Sequence, residues 1–247
     1  MIRKYIPSTI KKKLKMLITK TRWKGSCRIF CISMQRNGTT SVGDFFDYFG
    51  YPVSRSSDSR NNRWSMSWYN GDFESIFNSE DFKSFQVFED DPWWLPEFYK
   101  ILYHRFPNSK FILFTRDSES WFQSMLSHSK GQTLGNTKLH CKLYRRENEF
   151  YQKFETDNSF EKSLDKNDNL LSLIGHKQHY TDLYETRNKE IINFFEEHNP
   201  SRLIHCDLRD NKKWQKLGDF FDIIVPNEFN VHSNKSLIHS THNNLNN

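Results

Sequence analysis

Short apolar runs alternate with amphipathic stretches along this chain. The runs at 27–33, 84–89, 110–115 and 202–206 are rich in Phe, Ile, Leu, Val and Cys and are bounded by polar residues. That pattern predicts four strands. Lys110-Phe111-Ile112-Leu113-Phe114-Thr115 is almost continuously apolar, as a parallel strand covered on both faces must be. Between the strands, apolar residues recur at helical spacing over 38–49, 93–106, the stretch carrying Trp121, Phe122, Met125 and Leu126, 176–198 and 211–221. Gly50 suits the residue after a helix end, and Pro52 forbids a restart. Strands alternating with helices predict an α/β fold, with a central, mainly parallel sheet and helices on both faces.

Some stretches break this rhythm. Residues 53–72, rich in Ser, Asn and Arg, predict a long surface loop. Its Trp64, Trp68 and Tyr69 either line a substrate mouth or pack the loop onto the body. Residues 129–175 read as a helical insertion: a Gly/Ser/Asn-rich start, a charged helix over 138–155 and a loop over 156–169. Residues 1–24 read as a basic amphipathic arm, with Ile6, Ile10, Leu14, Leu17 and Ile18 on one face. The arm is either an anchor to anionic lipid or a solvated or self-packed helix. A single domain then spans 25–236, and the Asn- and His-rich tail at 237–247 predicts disorder.

Charge changes the picture less than the total suggests. The net charge is +6, but ten of the 36 basic residues fall in the first 28 positions, which hold no acid. The other 26 face all 30 acids, so the body is slightly acidic at −4. That argues against nucleic acid as a partner. No apolar run is long enough to span a membrane, and no secretory signal precedes the domain. Cys27, Cys31, Cys141 and Cys206 make no CxxC pair and no zinc spacing. They predict reduced thiols, a cytoplasmic location and no metal. The sequons at Asn37 and Asn234 are taken as chance matches, since a glycan on Asn37 would block the loop described next.

The candidate chemistry begins after the first strand. Gln35-Arg36-Asn37-Gly38-Thr39-Thr40-Ser41 leads straight into a helix. A strand, a tight polar loop with a glycine, and a helix start make a P-loop-like anion site, where backbone N–H groups and the helix dipole converge. A P-loop kinase places Lys where this chain has Thr39, so a nucleoside triphosphate would lose its main counter-charge here. Asp90 and Asp91 follow the second strand at its carboxyl end, where open α/β sheets bind ligands. They are candidate general bases, Asp90 first; the structural alternative makes Asp91 an N-cap ahead of Pro92.

Taken together, Gln35–Ser41, Glu89-Asp90-Asp91-Pro92-Trp93 and Phe111–Ser124 resemble the sulfotransferase family, whose donor is 3′-phosphoadenosine 5′-phosphosulfate (PAPS). The resemblance implies a three-layer, P-loop NTPase-like fold and a metal-free enzyme. It would move a sulfuryl group from PAPS to a hydroxyl or amine, on a small molecule or on a glycan or glycolipid. It implies that Gln35, Arg36, Asn37, Gly38, Thr39, Thr40 and Ser41 hold the 5′-phosphosulfate. Arg116 and Ser124 would hold the 3′-phosphate, and Asn234 and Lys235 would match a closing cofactor segment. Arg36, Asp90 and Asp91 are the implied catalytic set. By analogy, Trp64, Trp68, Trp93 and Trp94 would serve as sugar platforms. Gln35 stands where the family has Pro, which predicts a looser start to the loop. Ser124 lies far along a helix that starts near Asp117, which leaves Ser120 as an alternative. A kinase on the same fold, or a binding module without chemistry, are the competing readings.

Overall fold

The computed structural model describes residues 27–163 and 171–231. The basic arm, Asn234, Lys235 and the C-terminal tail lie outside the described residues. Five parallel strands form one sheet in the order β2-β3-β1-β4-β5. They are β1 (Ile29–Cys31), β2 (Val53–Ser54), β3 (Val87–Phe88), β4 (Lys110–Thr115) and β5 (Leu203–Asp207). The central strand β1 carries the phosphate-type loop, so the loop sits in the middle of the sheet's carboxyl edge.

Alternation along the strands builds the two faces. Phe30, Phe88, Phe111 and Leu113 point to one side. There they meet α6 (Phe98–Arg105) and α11 (Lys177–His198) through Phe98, Leu102, Ile191 and Phe195. Ile29, Cys31, Val87, Ile112, Phe114 and Cys206 point to the other side. They meet α1 (Thr39–Tyr48) and α12 (Lys213–Phe220) through Val42, Phe45, Phe46, Trp214 and Leu217. The result is the helix–sheet–helix layering that the sequence predicts. All four cysteines are free thiols. Burial pushes the Cys31 thiol up to about 12, so it packs as an inert apolar group.

Several sequence expectations need correction. Residues 53–72 are not a loop. They hold β2, which joins the sheet's edge, then α2 (Ser56–Asn61) and α3 (Trp64–Tyr69). Two further short helices follow, α4 (Phe73–Asn78) and α5 (Glu80–Ser84). Their many polar residues are solvated faces and caps: Asp72 accepts from Ser75 N–H and Ser79 from Phe82 N–H. Trp64, Trp93 and Trp94 are buried, so none is a sugar platform, and Trp68 is packed against the same core. The core wins because each indole removes a large apolar area from water. The stretch from Trp93 is turn rather than helix, and α6 starts only at Phe98 after Glu97. Asp91 therefore caps no helix.

The stretch expected to be an insertion carries α8 (Thr137–Leu143), α9 (Glu147–Thr156) and α10 (Asn158–Ser163), where a single helix and a loop were expected. The helix before it, α7 (Ser118–Ser129), starts on Asp117, whose carboxylate accepts from Ser120 N–H at 2.8 Å. A third core cluster joins this stretch to the sheet's carboxyl edge through Met34, Trp94, Trp121, Tyr144, Tyr180 and Tyr184.

Candidate active site

The loop after β1 is held in shape by its own backbone and by the helices behind it. Asn37 N–H and its side-chain amide both donate to the Met34 carbonyl, at 3.2 and 3.1 Å. Gly38 caps α1 in the left-handed conformation, at φ 76°. The positive φ favours glycine there, and a Cβ would stand 2.7 Å from Leu208 Cδ1, so that side chain would have to shift. Gly38 supplies no side-chain cap, and no acid sits in the first turn of α1, which holds Thr39, Thr40 and Ser41. The positive end of the helix dipole is left for an anion. Asn37 is fully buried, which excludes a glycan at that sequon.

Gln35 does not loosen the loop as expected from the missing proline. Its side-chain amide donates to the Tyr144 hydroxyl at 2.7 Å, and the Trp121 indole N–H donates to its carbonyl at 3.0 Å. Trp121 stacks on Tyr184, with ring centroids 4.4 Å apart. The Tyr184 hydroxyl donates to Asn37 Oδ1 at 3.1 Å and accepts from Arg116 N–H at 3.0 Å. One tyrosine of α11 thus ties the loop of β1 to the end of β4. In the sequence Tyr184 reads only as an apolar position of the long helix, and nothing there marks Tyr144.

Arg36 takes a positive φ of 69° and reaches α7, where its Nε donates to Ser124 Oγ at 3.1 Å. The helix does start beside Asp117. Ser124 nevertheless arrives at the loop because α7 packs across it through Trp121; Ser120 is engaged at the cap instead. Arg116 is half-buried at the end of β4. Its Nε and Nη2 have no hydrogen-bond partner among the described residues. Burial lowers its pKa, and the nearby cations Arg36 and Arg209 press the same way. Two unpartnered donors on Arg116, with the charges of Arg36 and Arg209 nearby, suit a multiply charged anion.

Beside Arg116 opens a cleft of about 990 Å³, lined also by Leu208, Arg209, Lys212, Lys213 and Trp214. Arg209, Lys212 and Lys213 follow β5, and nothing in the sequence alone joins them to Arg116. Parallel pairing of β4 with β5 does so, with Thr115 opposite Asp207.

On the other side of β1, β3 delivers the acids. Asp90 also takes a positive φ, 67°. Burial is the main force raising the pKa of both Asp90 and Asp91; Arg36 and Arg60 oppose it at Asp90, while the adjacent Asp90 charge adds to it at Asp91. Glu89, nearly inaccessible, is pushed up to about 8, first by burial and then by Asp90, against the pull of Arg55. Arg55 Nη1 lies 2.8 Å from Asp44 and 3.8 Å from Glu89, and donates to the Thr40 carbonyl at 3.3 Å. It crosses α1 where Gly43 has no side chain: a Cβ there would meet Nη1 at 2.5 Å. Arg55 thereby fixes the start of α1 to the strand end that carries Asp90. Arg55 and Arg60 were hidden in the stretch expected to be loop.

The structure therefore brings Arg36, Ser124, Asp90 and Arg116 to one edge of the sheet, with Gly38 and the first turn of α1 between them. Such a set can hold two anionic groups and offer a carboxylate base close to one of them. The residues fit PAPS on this observation: unpartnered buried guanidinium atoms at one end, and an uncapped helix start behind a glycine at the other. Among the described residues no group of His, Cys, Asp or Glu is arranged to hold a metal ion, and no helix is long and apolar enough to cross a membrane.

A family model described as a sulfotransferase domain matches residues 28–237. No curated protein matches the chain.

Proposed function

This chain belongs to the sulfotransferase domain family, and from that membership we propose how its own residues carry a sulfuryl group from PAPS to an acceptor hydroxyl. The enzyme is a PAPS-dependent transferase. The observation that carries the residue assignment is the convergence of Arg36, Arg116 and Arg209 with the Gly38-capped start of α1.

In this reading the first turn of α1, with Thr39, Thr40 and Ser41, receives the 5′-phosphosulfate. Gln35, Asn37 and Gly38 shape the loop around it. Arg116 and Ser124 face the 3′-phosphate, and Arg209, Lys212 and Lys213 extend that end of the cleft. Asn234 and Lys235 stay assigned to the cofactor by resemblance alone. PAPS supplies an activated sulfur whose leaving group is 3′,5′-adenosine bisphosphate. An acceptor oxygen attacks the sulfur, the sulfur–oxygen bond to the 5′-phosphate breaks, and the acceptor proton passes to a carboxylate. Asp90 is the proposed base and Asp91 its neighbour in reserve; both are held partly out of water, which raises their basicity. Arg36 offsets charge on the departing phosphate oxygen.

The acceptor is proposed as a hydroxyl compound. With Trp64, Trp93 and Trp94 in the core, the glycan or glycolipid reading keeps only the basic arm in its support. Its peripheral-membrane corollary, and a cytoplasmic location, rest on the same arm and on cysteine usage. Incubation with sulfur-labelled PAPS and a panel of alcohols, phenols and glycans tests the proposal. Labelled product formed in step with released 3′,5′-adenosine bisphosphate is expected. Binding of the bisphosphate with no labelled product from any acceptor would make the chain a binding module instead.

A further inference from the structure

Residues of α11, the end of α8 and the stretch 96–99 line a cavity of about 300 Å³. Two buried donors in its wall have no hydrogen-bond partner among the described residues. Arg187 is 7% exposed; its Nη2 donates to the Trp94 carbonyl, while Nε and Nη1 remain unpartnered. Tyr99 is 2% exposed, and its hydroxyl is also unpartnered. Both residues line the same cavity. Leaving a guanidinium and a phenol unsatisfied in an interior is costly, and native proteins do so where something else completes them.

We propose that this cavity is a second binding site, distinct from the phosphate-type loop, for a small oxyanion of the carboxylate or phosphate class, held by Arg187 and Tyr99. A guanidinium matches either anion through paired N–H donors, and a phenol adds a third donor. The wall also carries Lys142 and Arg145, and acids at Glu97, Asp182 and Glu190. Glu97 is neutralised by Lys100 at 2.6 Å. Glu97, Asp182, Glu190, Lys142 and Arg145 are exposed, whereas Arg187 is buried. A volume of this size suits a metabolite rather than a macromolecule. The site is coupled to the loop by contact: Arg187 holds the backbone of Trp94, which follows Asp91. The Tyr144 ring lies 6.5 Å from that of Trp94, and its hydroxyl takes the Gln35 amide. The inference does not depend on the sulfuryl-transfer reading.

The test follows Tm while inorganic phosphate, and separately succinate, is added at constant ionic strength to protein already saturated with 3′,5′-adenosine bisphosphate. A saturable rise with at least one of the two is expected; which one responds separates phosphate from carboxylate ligands. Tyr99→Phe and Arg187→Gln should each weaken the apparent affinity about tenfold or more, the loss of a hydrogen bond to a charged group. Arg36→Ala, which changes no residue of the cavity wall, should leave the response in place. Tyr99→Phe removes one oxygen and keeps the test valid if Arg187→Gln fails to fold. No saturable rise, or a rise that survives Tyr99→Phe and disappears in Arg36→Ala, would overturn the proposal.

Discussion

Arg36 Nε donates to Ser124 Oγ at 3.1 Å, which joins the loop after β1 to the second turn of α7. The two residues are 88 positions apart, and resemblance assigned them to opposite ends of one cofactor. Their contact makes Ser124 a residue that orients Arg36 as well as one that faces the 3′-phosphate.

The first prediction tests that pair. Arg36→Ala should lower turnover at least about 100-fold, the usual cost of losing a charge-stabilising donor at the reacting centre. Its Tm should barely move, because a half-exposed arginine contributes little to folding. Ser124→Ala should lower kcat/KM for PAPS only about five- to tenfold, the worth of one hydrogen bond. Steady-state kinetics beside thermal melts check both.

The second concerns the anchor behind the loop. Tyr144→Phe leaves the Gln35 amide without its partner, at a cost of about 1–3 kcal/mol in stability. It should also raise KM for PAPS more than it lowers kcat, since it frees the loop but touches no reacting atom. Denaturant unfolding and initial rates separate the two effects.

The third is a pH dependence. A carboxyl whose pKa is raised by folding stabilises the protein while protonated, and that contribution is lost as pH rises. For Glu89 the loss runs from its unfolded value of about 4.3 up to its folded value of about 8. Tm should fall across that window, and Glu89→Gln should flatten the fall. Activity runs the other way if Asp90 is the base: kcat should rise with pH, with its limb displaced above the ordinary carboxylate range. Asp90→Asn should abolish that limb; Asp91→Asn should shift it downward by removing a like charge.

The fourth distinguishes core from platform. Trp64→Ala should destabilise the fold by about 3–5 kcal/mol and leave the acceptor KM unchanged in the protein that remains folded. Unfolding curves and acceptor titrations read the two separately.

What the sequence made legible follows from physical reach. The strand–loop–helix at 29–48 and the long helix over 177–198 are encoded locally, by periodicity and by glycine and proline at their ends. Asp90 and Asp91 at a strand's carboxyl end were equally local. Trp64 could be read either as substrate mouth or as packing because its six-residue helix buries little besides that indole. The tie from Tyr184 to Asn37 spans 147 positions, and the meeting of Arg209 with Arg116 depends on β4 pairing with β5. No window of sequence contains such contacts. Gln35 shows the limit most clearly: a residue that departs from the family's pattern reads as a defect until its partner Tyr144 is seen.

The central claim is that the loop at 35–41 and Arg116 form the two ends of one PAPS site. It is tested most directly by thermal stabilisation with 3′,5′-adenosine bisphosphate against ATP with Mg²⁺, in the wild type and in Arg116→Ala. A saturable Tm rise with the bisphosphate, absent or small with ATP–Mg²⁺ and much weakened in Arg116→Ala, is the predicted result. Stabilisation by ATP that requires Mg²⁺ and is indifferent to Arg116 would contradict it.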